Sequence, residues 1–427
     1  MGAFLQAAAG AALPYDAAMH GNDPDVLIIG AGCAGIAAAR ALLRQGRSCV
    51  VLEAGGRVGG RAHTTTALGA PLDLGATWLH QADDNPLTAF VGDHLDHDTV
   101  RERHLHLGAR FATRAEFAEY WRAHRAFEAA LQAAPLAPDR SVMEAAPQGG
   151  PWDATIAHWL GSQINAMELT GISLEDYVKT DLDGPNLLPR EGVGGLVARL
   201  AEGLPIRLNH AVTGLDWSGP GVVARGDWGE MRAGRAIVTV SNGVLAAGSI
   251  TFTPALPAAT QAAIAGLPMG LLTKIAFRAR GADRLGIAPF HSARRAVAAG
   301  AEPPMSWVFW PFGADHVFGF VGGARAWALS RQGAAATEAA ARADLAALFG
   351  PRAEAALGEC LVSDWGENPH FRGSYTHARP WHHASRAMLA APLGGGRLCF
   401  AGEACHARFA GTVAGAWLSG EAAASAA

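Results

Sequence analysis

Asp25-Val-Leu-Ile-Ile29, running straight into Gly30-Ala-Gly32-Cys-Ala-Gly35, is the stretch that decides the fold. An apolar run of this length suits a parallel strand buried on both faces. The glycines that follow have GxGxxG spacing, Ile36 to Leu43 continues with Ala, Leu and Arg at helical spacing, and Gly46 stops the helix. Ser48 to Leu52 is a second β-rich run, closed by Glu53. Strand, glycines, helix, strand and acid in this order make a dinucleotide-binding βαβ unit. Gly30 permits the tight turn, Gly32 lets the backbone approach a pyrophosphate, and Gly35 brings helix and strand together. Glu53 is then placed to hold ribose hydroxyls.

Just beyond, Arg57-Val-Gly59-Gly60-Arg61 combines glycines for close backbone approach with Arg forks that can meet a diphosphate bidentately. Together with Glu53-Ala54 and with Leu72-Asp-Leu-Gly75-Ala76-Thr77-Trp78-Leu-His80, this string resembles the flavin-containing amine oxidases, nearest the polyamine oxidase and lysine-specific histone demethylase branch. Gly55 departs from the family, where many relatives carry Arg, which removes one adenosine-side contact. At the far end, Arg397 to Ala401 is a short apolar run delivering Gly402-Glu403, and Thr412-Val413 opens a helix through Gly420, matching the family's closing motif. The resemblance implies that Glu403 binds the ribitol chain and that the amides around Thr412 and Val413 face the flavin pyrimidine ring, where a helix N-terminus favours negative charge. It also places Ala34, Val212 and Trp365 in the FAD-binding set.

These positions imply an α/β fold of mixed character: a Rossmann-like FAD-binding domain of the glutathione-reductase type from residues 25–80, 188–256 and 372–427. A second, sheet-plus-helix substrate domain takes residues 81–187 and 257–371. In the first of these two pieces, Glu116 to Leu131 is the clearest helix. In the second, Ser306 to Trp310 and Val317 to Val321 alternate as strands and Ala334 to Leu348 is helical. Ile206 to His210 and Ala236 to Val240 are strand-like runs of the FAD domain.

Of the 34 lysines and arginines, only Lys179 and Lys274 are lysines. Lys274 sits in Gly270-Leu-Leu-Thr-Lys-Ile-Ala-Phe277, where a charge among apolar neighbours is costly unless it is partnered or useful. It matches the family lysine whose ammonium holds a water at flavin N5, and a compact ammonium can shift its pKa on burial as Arg cannot. Ser374 stands where the covalent branch carries cysteine, so FAD is expected to be noncovalent; Cys405 is out of register for that linkage. Tyr375 and Trp365 are expected to form aromatic walls for a cationic amine, with Thr412 opposite Tyr375 leaving a one-sided wall. His80 matches a histidine of polyamine oxidases that contacts the substrate nitrogen. Asp83 and Asp84 read either as an acidic mouth for a polycation or as solvated surface.

The implied reaction is hydride transfer from the amine α-carbon to flavin N5, imine hydrolysis to aldehyde and amine, and reoxidation by O2 to H2O2. The substrate is then a polyamine or another small amine. Amino acid oxidases share the fold but need an Arg for the substrate carboxylate, and Ala76-Thr-Trp-Leu-His80 has none. Flavin-dependent C–C dehydrogenases lack the Lys274 and Gly402-Glu403 contexts. A binding module without catalysis is the rival of another class, and the demethylase reading lacks its long helical insertion.

The bulk properties agree with a large-cored enzyme: 427 residues, half of them hydrophobic and 17% charged. A net charge of −4 without a dense basic block gives nucleic-acid binding little support. No apolar run is long enough to span a membrane. A monomer and a homodimer are both open. Cys33, Cys49, Cys360, Cys399 and Cys405 are scattered, as packed thiols rather than a disulfide framework, and the histidines lack metal-ligand spacing. Residues 1–24 resemble the tail of a twin-arginine leader without its arginine pair. They are a trimmed leader of a periplasmic protein or a frayed extension of a cytoplasmic one.

Overall fold

The computed structural model describes residues 23–100, 103–298 and 300–427, so the leader-like segment lies almost wholly outside the described residues. Val26–Ile29 is completely buried and pairs in parallel with Cys49–Leu52 on one side and Arg235–Val238 on the other. Ile206–Arg207 and Leu398–Phe400 extend the sheet to five parallel strands, with Val26–Ile29 in the centre. A central strand covered on both faces has no solvent side, hence its unalternated apolar sequence.

The helix Cys33–Arg44 begins directly after Gly32. A Cβ on Gly35 would sit 2.0 Å from the Gly30 carbonyl oxygen, so only glycine permits this helix-to-strand approach. The same helix packs against the C-terminal helix Val413–Ala426, again through small residues: a Cβ on Gly420 would lie 2.1 Å from the Ala34 oxygen. Two signatures almost four hundred residues apart are thereby locked side by side.

A seven-stranded sheet runs Leu357–Val362, Leu272–Ala279, His316–Gly322, Ser306–Phe309, Ser292–Arg295, Arg103–Leu107, Arg110–Phe111. Side-chain alternation splits it into two faces. Ile275, Phe277, Trp307, Phe309 and Val317 bury themselves with Leu345 and Leu348 of the helix Ala334–Phe349. Lys274, Phe320, Ser306 and Arg294 line the cavity on the opposite face. A smaller four-stranded sheet, Gly229–Ala233, Val222–Gly226, Gly214–Asp216 and Thr251–Thr253, is not hydrogen-bonded to either but packs Leu215, Val222 and Ala224 into one core with Leu27 and Ile29 of the five-stranded sheet.

The helix expected over Glu116 to Leu131 spans Arg114–Ala133, started by a capping box in which Thr113 and Glu116 exchange hydrogen bonds. Ile206 to His210 forms a strand only at Ile206–Arg207. Just before the helix Arg114–Ala133, Arg103–Leu107 and Arg110–Phe111 join the seven-stranded sheet, strands that the sequence pattern does not announce. Among the described residues no helix is long and apolar enough to cross a membrane.

Candidate active site

Both nucleotide-type motifs and the lysine strand open onto one cavity of about 750 Å3, within the range of sites for small ligands and cofactors. Gly30, Gly32, Ala34, Glu53 and Ala54 line its first end. A Cβ on Gly32 would meet nothing within 4 Å, so the backbone at the helix N-terminus faces open space, as close approach of a phosphate requires. Glu53 holds this turn rigid. Its two carboxylate oxygens accept from the Ala31 and Gly55 amides, each at 2.7 Å, which ties the strand end to the glycine loop.

Gly59 and Gly60 have φ of +94° and +58°, and Gly59 N–H donates to the Ala31 carbonyl at 2.8 Å. The double-glycine turn therefore packs backbone to backbone on the first glycine loop. Gly60 and Arg61 line the cavity, but Arg57 does not: its Nη1 donates to the Val58 carbonyl and its guanidinium lies 5.9 Å from the centre of the Phe371 ring. Gly35 is likewise behind the cavity wall, in its packing role. Arg61 Nη1 donates to the Ser374 carbonyl at 2.7 Å and to Glu403 Oε1 at 2.9 Å. Thr376 Oγ1 donates to Glu403 Oε2 at 2.7 Å. Burial alone would raise the Glu403 carboxyl, but Arg61, the Thr376 hydroxyl and Arg386 outweigh it and hold the group below its ordinary range.

Gly402, Glu403, Thr412 and Val413 meet the same space from the other side. Thr412 caps the C-terminal helix, its Oγ1 accepting from the Gly415 amide at 3.0 Å and donating to the Phe409 carbonyl at 2.8 Å. Val212 completes this end. Glycines that leave backbone exposed, a capped helix N-terminus and anchored carboxylates form a cradle suited to a dinucleotide-like flavin cofactor.

Gly75, Ala76, Thr77 and Trp78 form the middle of the cavity beside Lys274. Lys274 is 4% exposed; its Nζ donates to the Gly75 carbonyl at 2.8 Å and to Thr77 Oγ1, and lies 5.8 and 5.1 Å from the ring centres of Trp78 and Phe318. Burial pushes its pKa down to about 8, against the pull of the Asp73 carboxylate. Asp73 shapes the site indirectly. Its carboxylate accepts from the Val193 and Gly194 amides and from Thr64, orienting the helix Val193–Leu200.

His80 Nδ1 is 2.5 Å from Asn186 Oδ1, and Asn186 Nδ2 donates to Asp98 at 2.6 Å. The carboxylate fixes the amide orientation, so His80 carries its proton on Nδ1 and leaves the lone pair on Nε2. Burial holds the ring below its ordinary pKa, with Asn186 and Asp98 acting in the other direction. Tyr375 lines the cavity with its hydroxyl tied to the Ile164 carbonyl at 2.7 Å. Trp365 is 4% exposed, donates from its indole to the Leu74 carbonyl at 2.9 Å and packs edge-on to Phe371. Its ring backs Gly75, where a Cβ would come within 3.2 Å of it.

Ser374 is pinned to the lysine strand: its Oγ accepts from the Leu272 amide at 2.8 Å and donates to the Leu272 carbonyl at 3.0 Å. Of the two readings of Asp83 and Asp84, the contacts favour solvated surface. Asp84 pairs with Arg408 at 2.7 Å on the surface, and neither it nor Asp83 lines the cavity. Two features of the site have no motif in the sequence: the buried Asp176–Arg386 pair, bidentate at 2.7 Å, and Arg294. Among the described residues, no group of three His, Cys, Asp or Glu side chains is arranged to hold a metal ion.

Comparison with known proteins agrees with this geometry. Residues 33–427 match the family model described as flavin containing amine oxidoreductase. Polyamine oxidase 4 of Oryza sativa subsp. japonica is 30% identical over 97% of this chain and 91% of its own length. Lysine-specific histone demethylase 1 homolog 2 of the same plant is 28% identical over 92% of this chain, which spans 56% of that longer protein. The fold is shared with cyclohexylamine oxidase from Brevibacterium oxydans IH-35A, with a TM-score of 0.75, 22% identity, and coverage of 95% of this chain and 98% of that one.

Proposed function

The chain belongs to the flavin-containing amine oxidoreductase family, and from that premise we propose that it oxidises a small amine at the carbon next to nitrogen, using noncovalent FAD and O2. The observation that carries this reading is the lysine strand. It delivers a buried Lys274 to the cavity that both glycine signatures line, 2.8 Å from the Gly75 carbonyl.

Bound flavin supplies a two-electron acceptor for the amine's α-C–H bond and passes the electrons to O2, yielding H2O2. Water then adds to the oxidised C=N bond, so amine, O2 and water give aldehyde, the released amine or ammonia, and H2O2. His80 accepts the substrate N–H at Nε2, with Asn186 holding the ring in the required tautomer. An amine must be unprotonated at nitrogen to lose the α-hydrogen with its electron pair, and desolvation in the cavity favours that neutral form. Lys274 Nζ spends two N–H bonds on Gly75 and Thr77 and keeps a third for a water in the cavity. Tyr375, fixed through Ile164, supports the amine on an aromatic face, while Trp365 braces the Gly75 turn from behind. Arg61, Glu403 and Thr376 form the frame of the cofactor cradle, with the five-stranded sheet as cofactor domain and the seven-stranded sheet as substrate domain.

Incubating the purified holoprotein with an amine panel and quantifying products tests the proposal. Aldehyde and H2O2 in one-to-one ratio support it. Flavin-loaded protein that forms neither from any amine contradicts it.

A further inference from the structure

Lys274, Phe320, Ser306 and Arg294 form one cross-strand row: Lys274 pairs with Phe320, Phe320 with Ser306, and Ser306 with Arg294. Directly paired residues point to the same face, and all four line the cavity. Three strand spacings put the α-carbons of Lys274 and Arg294 about 14 Å apart. The row is therefore a floor running from the proposed reaction centre to a guanidinium.

That guanidinium is unusual in its company. Arg294 is 8% exposed, its carbon lies 3.4 Å above the Trp159 ring centre, and Nη1 is buried without a hydrogen-bond partner. Among the described residues, the groups that act on it are the neutral Tyr120 phenol and the Arg103 cation, with no carboxylate. Its neighbours in kind do have one: the half-buried Arg295 meets Asp344 and the buried Arg386 meets Asp176. Carboxylates around the cavity are engaged elsewhere: Glu403 pairs with Arg61 and Asp98 with Arg103, the part-exposed Glu128 lies in hydrogen-bond contact with His124, and Asp181 is exposed and bonded to Gln132. Beside Arg294 on the same strand face, Ser292 Oγ is also buried, cavity-lining and unpartnered.

A buried guanidinium without a counter-charge is costly, and a planar fork next to a free hydroxyl matches a carboxylate. We propose that Arg294 and Ser292 bind an anionic group at the far end of the substrate, so that the preferred substrate is an amine separated by an aliphatic spacer from a carboxylate. This rests on the amine-oxidising reading of the site and selects within it. A polyamine would press an ammonium against Arg294, and an α-amino acid could not keep its nitrogen near Lys274 while reaching it.

The test compares kcat/KM for 6-aminohexanoate, hexylamine and 1,6-diaminohexane in the wild-type holoenzyme, Arg294→Gln and Arg294→Lys. Hexanoate binding is measured by calorimetry in the same proteins. The expected results are a preference for 6-aminohexanoate over hexylamine of about tenfold or more, a tenfold or greater loss of that ratio in Arg294→Gln with partial retention in Arg294→Lys, and hexanoate binding weakened in parallel. A wild-type preference for 1,6-diaminohexane, or a ratio indifferent to both substitutions, overturns the inference while leaving amine oxidation standing. Arg294-dependent hexanoate binding without turnover of any amine supports the anion site and removes the oxidase reading instead.

Discussion

Arg61 Nη1 lies 2.9 Å from Glu403 Oε1, an ion pair between residues 342 positions apart that joins the N-terminal and C-terminal cofactor signatures. Arg61 also holds the Ser374 carbonyl, and Glu403 also binds Thr376, so the pair is the hub of the cradle. Replacing Arg61 with Met leaves a buried carboxylate short of its main cation, a change that costs about 3 kcal/mol. Urea denaturation is expected to show a loss of that size, and gel filtration to strip flavin from the variant but not from wild type. Unchanged stability and full flavin retention would show that the pair is incidental.

Lys274 gives a pH signature of opposite sign to that of a salt-bridged lysine. Burial lowers its pKa from 10.5 to about 8, so between these values the unfolded chain binds a proton that the folded chain does not. Raising pH through that window therefore favours the folded state, by about 3 kcal/mol over the full interval. The stability difference between wild type and Lys274→Met is expected to move in favour of wild type between pH 7 and pH 10. A difference that is flat, or that moves the other way, places Lys274 outside the buried, desolvated position described.

Ser374 bears on how the flavin is held. Its Oγ is engaged with both backbone groups of Leu272, and a serine offers no thiol for a thioether. Acid precipitation of the wild-type holoprotein is expected to release essentially all flavin into the supernatant. Yellow colour retained in the washed pellet would point to a covalent bond.

The surface position of Asp84 predicts an absence of effect. Its partner Arg408 is about half exposed, and pairs of this kind contribute less than about 1 kcal/mol. The Asp83→Asn/Asp84→Asn double variant is expected to oxidise amines with kcat/KM within about twofold of wild type. A tenfold fall would restore the acidic mouth.

The parts of this molecule that were legible beforehand are those where backbone geometry restricts residue choice. Gly30, Gly32 and Gly35 are readable because a Cβ would collide or block approach, and Lys274 because one charge stands in an apolar strand. Arg57 looked equivalent to Arg61, since both flank the double glycine. The fold separates them: Arg57 bonds the Val58 carbonyl and lies over Phe371, more than three hundred residues away, while Arg61 reaches Glu403. The strand Arg103–Leu107 carries Arg and His residues and pairs in parallel with Ser292–Arg295, a long-range pairing that single-sequence periodicity does not reveal. Arg294 stood in no motif. Its meaning comes from what its neighbours lack.

Anaerobic mixing with amines tests the central claim most directly. With the flavin-loaded protein and a saturating amine, the account predicts bleaching of the oxidised-flavin absorbance, and its return on admitting O2 with one H2O2 formed per flavin. Absorbance that no amine of the panel alters, carboxylate-bearing amines included, would contradict it.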